Sequence, residues 1–345
     1  MNRKLNVLIL GIGGNVSQGI MTALKVSKIP CRIIGACVST ESLGLYFCDT
    51  AYISPYAKDD SFVPWVVNLC KKEDVDIIFS GVEENIEAME KQRNLLNHIK
   101  SIFISAPLEF LLIGNNKLKT CQWLKNNGCN YPKFAEISKK DDVKSLITEI
   151  GFPLLAKPII GKGSAGVMIV HNEEELSTVS SDNYVLQEYL GDSDSEYTVG
   201  CYKKKTGELD NMIICKRHLK YGTTFKAEIV HDKVIEQECR YIASKFGSIG
   251  PLNIQLRMHH GKPVCFELNV RFSGTTPLRA RWGYNDVAGM INEYLFDQDT
   301  NLNPIEEGIA YRYFNELYIN IDMQAELEKT GYVEDCGSYN NFKEA

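Results

Sequence analysis

PLNIQLRMHHGKPVCFELNVRFSGTTP, residues Pro251–Pro277, alternates polar and apolar residues on both sides of a His-His-Gly-Lys turn. Such alternation predicts an antiparallel β-hairpin. A slip of one residue would set the apolar side chains of one strand beside the polar side chains of the other. We therefore expect the register that is centred on the turn glycine, with Gln255 opposite Glu267 and Asn253 opposite Asn269.

One face of this hairpin would collect a carboxylate, amide oxygens and an arginine. Its polar side chains are Asn253, Gln255, Arg257, Glu267, Asn269 and Arg271. The apolar side chains expected on the opposite face are Ile254, Leu256, Met258, Phe266, Leu268 and Val270. Oxygen ligands of this kind suit Mg²⁺, which commonly binds one or two carboxylates together with substrate phosphates. Hairpins whose polar face only meets water alternate in the same way, so the pattern by itself leaves both interpretations open.

The composition indicates a globular protein of about two or three domains. The 345 residues are 44% hydrophobic, and the net charge of −6 comes from interspersed lysines and acids, without a nucleic-acid footprint. The eleven cysteines form no C-x-x-C pair, which favours a reducing, cytoplasmic location over a disulfide framework. The apolar run Val7–Leu10 is too short for a signal peptide, and no segment approaches the length of a membrane span.

Strands and helices alternate through the N-terminal part of the chain. A buried strand at Leu5–Leu10, a helix at Asn15–Ser27 and a second strand at Cys31–Val38 begin the series. Further strands and helices follow, up to a strand at Ile102–Ser105. This order predicts a doubly wound parallel sheet.

Two features lie at the predicted carboxyl edge of this sheet. The glycine-rich turn at 11–14 departs from the dinucleotide-binding spacing, because Val16 replaces the third glycine and Ser39 and Thr40, not an acid, end the second strand. We therefore favour a tight structural turn, and an NAD(P)-dependent oxidoreductase stays as an alternative. The segment Glu83–Asn85 follows a strand ending at Ser80 and either caps the next helix or meets a substrate.

The middle of the chain predicts a flap that could cover phosphates. Lys117 opens a helix, a strand at Phe152–Lys157 leads into the loop Gly161–Gly166, and Val167–Val170 returns as a strand. Glycine-rich backbone in such a loop can turn its N–H groups toward phosphate oxygens. The loop is not a Walker P-loop, because no G-K-[ST] motif leads into a helix. Taken alone, a glycine-rich hairpin loop can equally be structural.

In their order along the chain, these parts resemble those of ATP-grasp enzymes, most closely the carbamoyl-phosphate synthetase large-subunit type. The resemblance rests on the two lysines, the flap, the hinge L-Q-E-Y-L at 186–190, S-E-Y-T-V at 195–199 and E-x-N-x-R at 267–271. It implies a mixed α/β and α+β fold. An N-terminal doubly wound, Rossmann-like domain (1–106) would precede an ATP-grasp fold of two subdomains (107–185 and 186–320) and a C-terminal tail (321–345).

The resemblance also implies ATP and Mg²⁺ as cofactors, with Mn²⁺ as an alternative metal. The residues that it assigns to phosphates and the flap are Lys117, Lys157, Gly161, Gly163, Ser164, Gly166 and Lys216. Those that it assigns to adenine and ribose are Gln187, Glu188, Tyr189, Leu190 and Glu196. The implied metal ligands are Gln255, Glu267 and Asn269, and Arg271 would stabilise charge on the transferred phosphoryl group.

The implied reaction activates a carboxylate as an acyl phosphate and joins it to an amine or ammonia, releasing ADP and phosphate. Both substrates would be small molecules of unspecified identity. A homodimer is compatible with the resemblance, and we expect no nucleic-acid or membrane partner. A non-catalytic nucleotide-binding protein on the same fold is the second alternative.

The resemblance leaves several basic residues without a firm role. It does not decide which of Lys216, Arg217 and Lys220 contacts a phosphate. Arg279 and Arg281 could anchor a substrate carboxylate or could be exposed arginines of a helix.

Overall fold

The computed structural model describes residues 3–161, 163, 165–179, 183–191, 196–300 and 302–336. Three β-sheets, with helices packed on them, make up this part of the chain. The predicted flap residue Ser164 lies outside the described residues.

A parallel sheet with helices on both faces forms the N-terminal domain. Its strands are β1 (Leu5–Leu10), β2 (Cys31–Cys37), β3 (Thr50–Ile53), β4 (Ile77–Ser80) and β5 (Ile102–Phe103), in the order β3-β2-β1-β4-β5. Its helices are α1 (Asn15–Ser27), α2 (Phe62–Lys72), α3 (Glu83–Lys91) and α4 (Arg93–Leu96). Val7 of β1 packs in one apolar cluster with Ile20 of α1. Leu8 faces the other way and packs in a second cluster with Val66 of α2, so the predicted doubly wound arrangement is confirmed.

A small antiparallel sheet, here called the flap sheet, follows two connecting helices, α5 (Leu108–Gly114) and α6 (Lys117–Asn126). Its strands are β6 (Phe134–Glu136), β7 (Leu154–Pro158), β8 (Met168–Val170) and β9 (Tyr184–Glu188), in the order β6-β9-β7-β8, with helices α7 (Lys140–Ile150) and α8 (Glu173–Ser177). Strands β7 and β8 pair on either side of the glycine-rich loop, as the sequence predicts. The predicted subdomain boundary after residue 185 falls inside β9.

A six-stranded antiparallel sheet, here called the large sheet, carries the hairpin. Its strands are β10 (Glu196–Lys203), β11 (Leu209–Lys220), β12 (Thr223–Ile229), β13 (Gly250–His259), β14 (Lys262–Asn269) and β15 (Ile309–Tyr311), in the order β14-β13-β10-β11-β12-β15. Its helices are α9 (Lys233–Lys245), α10 (Thr276–Arg281) and α11 (Asp286–Leu295). Both apolar clusters of the N-terminal domain continue into this sheet, and the rings of Phe79 and Phe272 meet edge to face at 5.8 Å. The shared core fixes the large sheet against the carboxyl edge of the N-terminal sheet.

The segment after residue 320 returns to the N-terminal domain instead of forming a separate tail. It consists of α12 (Ile321–Thr330) and β16 (Tyr332–Glu334). Strand β16 pairs antiparallel with β3, and the rings of Tyr332 and Tyr52 lie 4.8 Å apart. The N-terminal sheet therefore gains a sixth, antiparallel strand from the far end of the described chain.

All eleven cysteines are free thiols, and ten of them are buried. Within the part of the chain that the structure describes, no helix has the length and apolar character needed to cross a membrane.

Candidate active site

The hairpin β13–β14 has the predicted register next to the candidate site. Asn253 lies opposite Asn269, and Gln255 lies opposite Glu267. Gln255 and Glu267 border the same two cavities, so the amide and the carboxylate face the same side of the sheet. Asn253 is buried beneath them, where its Oδ1 accepts a hydrogen bond of 2.9 Å from Thr198.

A β-bulge changes the rest of the hairpin. Beyond Gln255 the register shifts by one residue, so that Leu256 pairs with Cys265 and not with Phe266. Cys265 takes the core position beside Leu256, and Phe266 borders a cavity together with Glu267. The prediction that Phe266 lies on the apolar face is therefore wrong, because a bulge places an extra residue in one strand and breaks the simple alternation.

Two cavities meet on this side of the hairpin. The flap cavity, of about 750 Å³, lies between the flap sheet and the large sheet. The interdomain cavity, of about 880 Å³, lies between the hairpin and the N-terminal domain. The residues that border both are Lys117, Gly161, Gly163, Arg217, Leu219, Gln255 and Glu267. A ligand in one cavity would therefore meet a ligand in the other at this shared border.

Lys157, in strand β7, borders the flap cavity. Its Nζ lies 4.9 Å from the centre of the Phe266 ring and forms no hydrogen bond or ion pair with another described residue. Burial lowers the pKa of Lys157 to about 8, and the carboxylate of Glu267 partly opposes this shift. An anionic ligand would favour the charged ammonium and would add to the counter-charge that Glu267 provides.

Lys117 connects helix α6 to the flap. Asn116 caps this helix, since its Oδ1 accepts a 2.9 Å hydrogen bond from a backbone N–H of the first turn. The Nζ of Lys117 donates to the carbonyl oxygen of Gly161 at 2.8 Å. Gly163 and Gly166 have φ values of +61° and +72°, which glycine adopts without a steric penalty. The lysine and the start of the flap are thus already in contact at the border of both cavities.

The four predicted hinge residues divide into two groups. Glu188, Tyr189 and Leu190 border the flap cavity. Gln187 is only 1% exposed, and its backbone pairs with the strands on both sides of β9. Its Nε2 donates to the Sγ of Cys121 at 3.0 Å, so its side chain points into the core. The side chain of Gln187 packs on the core side of the hinge and does not border the flap cavity.

Glu196 lies between two arginines at the edge of the flap cavity. Its Oε1 accepts hydrogen bonds of 2.9 and 2.6 Å from Nε and Nη2 of Arg217. Its Oε2 accepts hydrogen bonds of 3.2 and 2.8 Å from Nε and Nη2 of Arg257. Burial alone would raise the pKa of Glu196, but the two arginines lower it below its usual value. The carboxylate is therefore ionised at neutral pH, with its charge balanced by both guanidinium groups.

Among the basic residues near the end of β11, the geometry singles out Arg217. It borders both cavities, and its Nη2 donates to the Oε1 of Gln255 at 2.6 Å. Lys216 points to the opposite side of the strand, because successive side chains of a strand alternate. Lys220 lies over two aromatic rings at the end of the strand.

Arg271 borders the interdomain cavity and ties the hairpin to the N-terminal domain. Its Nη2 lies 2.7 Å from the Oε1 of Glu83 and donates to the Oδ1 of Asn269 at 3.0 Å. Glu83 is the first residue of α3, and that helix has no side-chain cap. This residue of the segment Glu83–Asn85 thus contacts an arginine of the candidate site.

Arg279 has a structural role inside the domain. It is 1% exposed, and its Nη2 donates at 2.8 Å to Asp286, which is fully buried. The suggestion that Arg279 anchors a substrate carboxylate is therefore wrong, because its charge is already matched inside the core, where an unpaired charge would be costly. Arg281, at the end of α10, is exposed.

The predicted metal ligands Gln255, Glu267 and Asn269 offer one carboxylate and two amide oxygens. Within the described ranges, no three His, Cys, Asp or Glu side chains cluster as a metal site. Mg²⁺ commonly takes only one or two protein carboxylates when phosphates complete its coordination. Both amide oxygens already accept N–H donors from arginines, Gln255 from Arg217 and Asn269 from Arg271. Both amide oxygens thus face positively charged groups. The three predicted ligands fit a cation that the protein and a nucleotide would hold together.

Arg257 and Phe266 are among the cavity residues that were not given a role from the sequence. The position of Arg257 beside Glu196 becomes apparent from the pairing of β10 with β13, which places the two residues opposite each other. Phe266 reaches the flap cavity only through the bulge, for which the sequence offers no signal.

Three family models match successive parts of the chain. A model described as the PylC-like N-terminal domain matches residues 7–102, and a RimK-like ATP-grasp domain matches residues 114–201. A model described as ATP-grasp in the biosynthetic pathway with Ter operon matches residues 180–317. Two of these models describe ATP-grasp domains, and together they match residues 114–317 of the chain.

Curated relatives of this chain include carbamoyl phosphate synthase large chains. The chain is 24% identical to that of Helicobacter pylori over 314 residues, which cover 81% of this chain and 28% of the relative. It is 23% identical to that of Methanocorpusculum labreanum over 306 residues, which cover 79% of this chain and 28% of the relative. The chain thus spans little more than a quarter of the length of these relatives.

Solved structures share the fold. N5-carboxyaminoimidazole ribonucleotide synthetase from Thermus thermophilus has a TM-score of 0.70 at 15% identity, covering 88% of this chain and 82% of that one. The Staphylococcus aureus enzyme in complex with ADP has a TM-score of 0.71 at 16% identity, covering 95% and 87%. A biotin carboxylase from Campylobacter jejuni has a TM-score of 0.64 at 17% identity, covering 83% and 70%. The predicted N-terminal doubly wound domain followed by an ATP-grasp fold is confirmed.

Proposed function

We propose that this chain is an ATP- and Mg²⁺-dependent ligase, which activates a carboxylate as an acyl phosphate and joins it to an amine or to ammonia. The observation that carries the proposal is the meeting of the two cavities at Gln255 and Glu267, with Arg271 on the interdomain side. A nucleotide in the flap cavity would present its terminal phosphate at this border. An acceptor in the interdomain cavity would then face that phosphate directly.

The flap cavity has the chemistry that a nucleoside triphosphate needs. Its apolar wall, which suits a purine ring, is formed by Leu155, Val167, Ile169, Leu190 and Phe266. Lys117 and Arg217 supply positive charge at the shared border, and Lys157 supplies it within the flap cavity. The order from apolar wall to cationic border matches the order from base to phosphates in the ligand.

The hairpin supplies the ligands for the metal. Glu267, Gln255 and Asn269 would hold Mg²⁺ between the protein and the phosphates. When bound, the ion neutralises phosphate charge and aligns the terminal phosphoryl group with its acceptor. The Oε1 of Gln255 has two lone pairs, so it could face the ion while it still accepts the hydrogen bond from Arg217.

The chemistry proceeds in two displacements. A carboxylate oxygen of the acid attacks the terminal phosphorus, and the bond between that phosphorus and the bridging oxygen of ADP breaks. The amine nitrogen then attacks the acyl carbon, loses a proton, and displaces inorganic phosphate. Arg271 offers a planar set of donors to the negative charge that develops on the phosphoryl and acyl oxygens.

The test is ADP release with a matrix of small acids and amines, including ammonia. The proposal expects ADP and phosphate in equal amounts, only when an acid, an amine and Mg²⁺ are all present. Glu267→Gln should abolish this release while leaving the fold intact. Tight binding of NAD(H) without binding of ATP would instead support the oxidoreductase alternative. ATP binding without turnover for any pair would support the non-catalytic alternative.

We further propose that the chain forms a homodimer and acts in the cytoplasm. One similar structure is a dimer of a 2-oxoglutarate carboxylase biotin carboxylase domain, which supports testing this chain for a homodimer by light scattering. The free cysteines support a reducing, cytoplasmic location.

A further inference from the structure

The carboxylate of Glu196 has no acceptor position left for a ligand. An ionised carboxylate accepts hydrogen bonds at about four lone-pair positions, two on each oxygen. In Glu196 each oxygen already accepts two N–H donors, from Arg217 on Oε1 and from Arg257 on Oε2. The side chain is also only 4% exposed. A sugar hydroxyl could reach this carboxylate only by displacing a charged donor.

Displacing one of these arginine donors would lose more binding free energy than a new hydrogen bond from a sugar hydroxyl would supply. Hydrogen bonds between charged partners are roughly twice as strong as those between neutral groups. Both arginines are further fixed, Arg217 by Gln255 and Arg257 by a hydrogen bond from its Nη1 to the carbonyl oxygen of Gly191. Removing either arginine would leave Glu196 as a poorly compensated buried charge.

We infer that Glu196 is a positioning residue for Arg217 and Arg257, and that this chain accepts 2′-deoxy-ATP as a phosphoryl donor as readily as ATP. The resemblance to ATP-grasp enzymes assigns Glu196 to the ribose hydroxyls. In this chain, four hydrogen bonds from arginines occupy the carboxylate oxygens that would bind those hydroxyls. The positioned arginines border the flap cavity from β11 and β13, and Arg217 also reaches the metal ligand Gln255. Glu196 thus acts on the phosphate end of the nucleotide through the arginines that it holds. The inference rests on the proposed use of ATP.

The first test compares the sugars on the unmodified protein. Dissociation constants of ADP, 2′-deoxy-ADP and 2′,3′-dideoxy-ADP are measured by calorimetry with Mg²⁺, which requires no knowledge of the acid or the amine. The inference expects ADP and 2′-deoxy-ADP to agree within about threefold, because no hydrogen bond to a charged group is lost. A preference for ADP of about ten- to a hundredfold, the value of such a bond, would overturn it. Failure of both nucleotides to bind would overturn the proposed function and the inference with it.

The second test removes the charge with Glu196→Gln. If Glu196 positions the arginines, the variant weakens ADP, 2′-deoxy-ADP and 2′,3′-dideoxy-ADP by the same factor. If Glu196 binds the sugar, the variant weakens ADP most and leaves the dideoxy form at its original affinity, which would overturn the inference. Glu238→Gln is the matched control, because Glu238 accepts hydrogen bonds from Asn130 away from both cavities and its loss should not change nucleotide affinity. Should Glu196→Gln fail to fold, the comparison of sugars on the unmodified protein decides the question alone.

Discussion

Arg271 and Glu83 form an ion pair of 2.7 Å, although 188 positions separate them in the sequence. The two side chains are 14% and 16% exposed, so the pair is largely shielded from water. It fixes the last member of the E-x-N-x-R run against the first turn of α3. The guanidinium is therefore oriented by the N-terminal domain before any substrate arrives.

Arg271→Lys should slow turnover by about a hundredfold while nucleotide affinity stays close to that of the unmodified protein. Loss of one preorganised donor to developing negative charge costs about that much, and an ammonium cannot contact Glu83 and Asn269 as a planar fork does. ADP release and ADP calorimetry measure the two effects separately. Arg281→Lys, on the exposed end of α10, is the control and should change neither. A loss of affinity equal to the loss of rate would contradict this role.

Glu267→Gln should reduce Mg²⁺-dependent turnover by about a hundredfold or more and leave the protein folded. The change keeps the shape of the side chain but removes the only carboxylate among the three predicted metal ligands. It leaves the core residues of the hairpin, such as Ile254 and Leu268, untouched. Turnover against Mg²⁺ concentration, with circular dichroism as the folding check, gives the answer. Glu174→Gln, on an exposed position, should behave as the unmodified protein, and an active Glu267→Gln would refute the metal site.

Nucleotide affinity should fall as the pH rises through about 8, the pKa of Lys157 in the folded protein. Its charged form prevails below that pH and is the form that attracts phosphate, so binding is tightest on the acid side. Bound phosphate in turn raises the pKa of Lys157, since an anion favours the ammonium. Lys157→Met should weaken ADP and remove this pH dependence, as measured by calorimetry across pH 8, whereas Lys144→Met should do neither. An unchanged pH profile in Lys157→Met would assign the titration to another group.

Arg217→Ala should weaken ADP binding by more than about tenfold, because a charged donor at the shared border of the cavities is lost. Lys216→Ala should change it by less than about twofold, because its side chain points to the other side of β11. The two residues are adjacent and both basic, so each is the control for the other. Equal losses in both variants would show that overall positive charge, and not the Arg217 contact, matters here.

The sequence predicts the architecture and the hairpin register because apolar and polar residues alternate clearly there. It misses the bulge, because Val264, Cys265 and Phe266 are consecutive apolar residues and no change of polarity marks the extra position. The same reason applies to β11, where Lys216 and Arg217 are both basic, so polarity could not tell which of them faces the cavities.

Other misses come from pairings that join distant parts of the chain. The partners of Glu196 become apparent only when β10 is set beside β11 and β13, which sequence spacing does not specify. Strand β16 has three residues, too few for an alternation of polar and apolar residues to predict a strand. The burial of Arg279 depends on Asp286, seven positions away in the next helix, and an arginine near a helix end is usually exposed.

The pairing of β16 with β3 also has a consequence for the order of events on the ribosome. Strand β3 emerges early, yet its outer edge stays open until Tyr332–Glu334 have been synthesised. During that interval its unpaired N–H and C=O groups can pair with a neighbouring nascent chain. The N-terminal sheet therefore stays incomplete until residue 334 has been synthesised, and the edge of β3 is protected from aggregation only from then on.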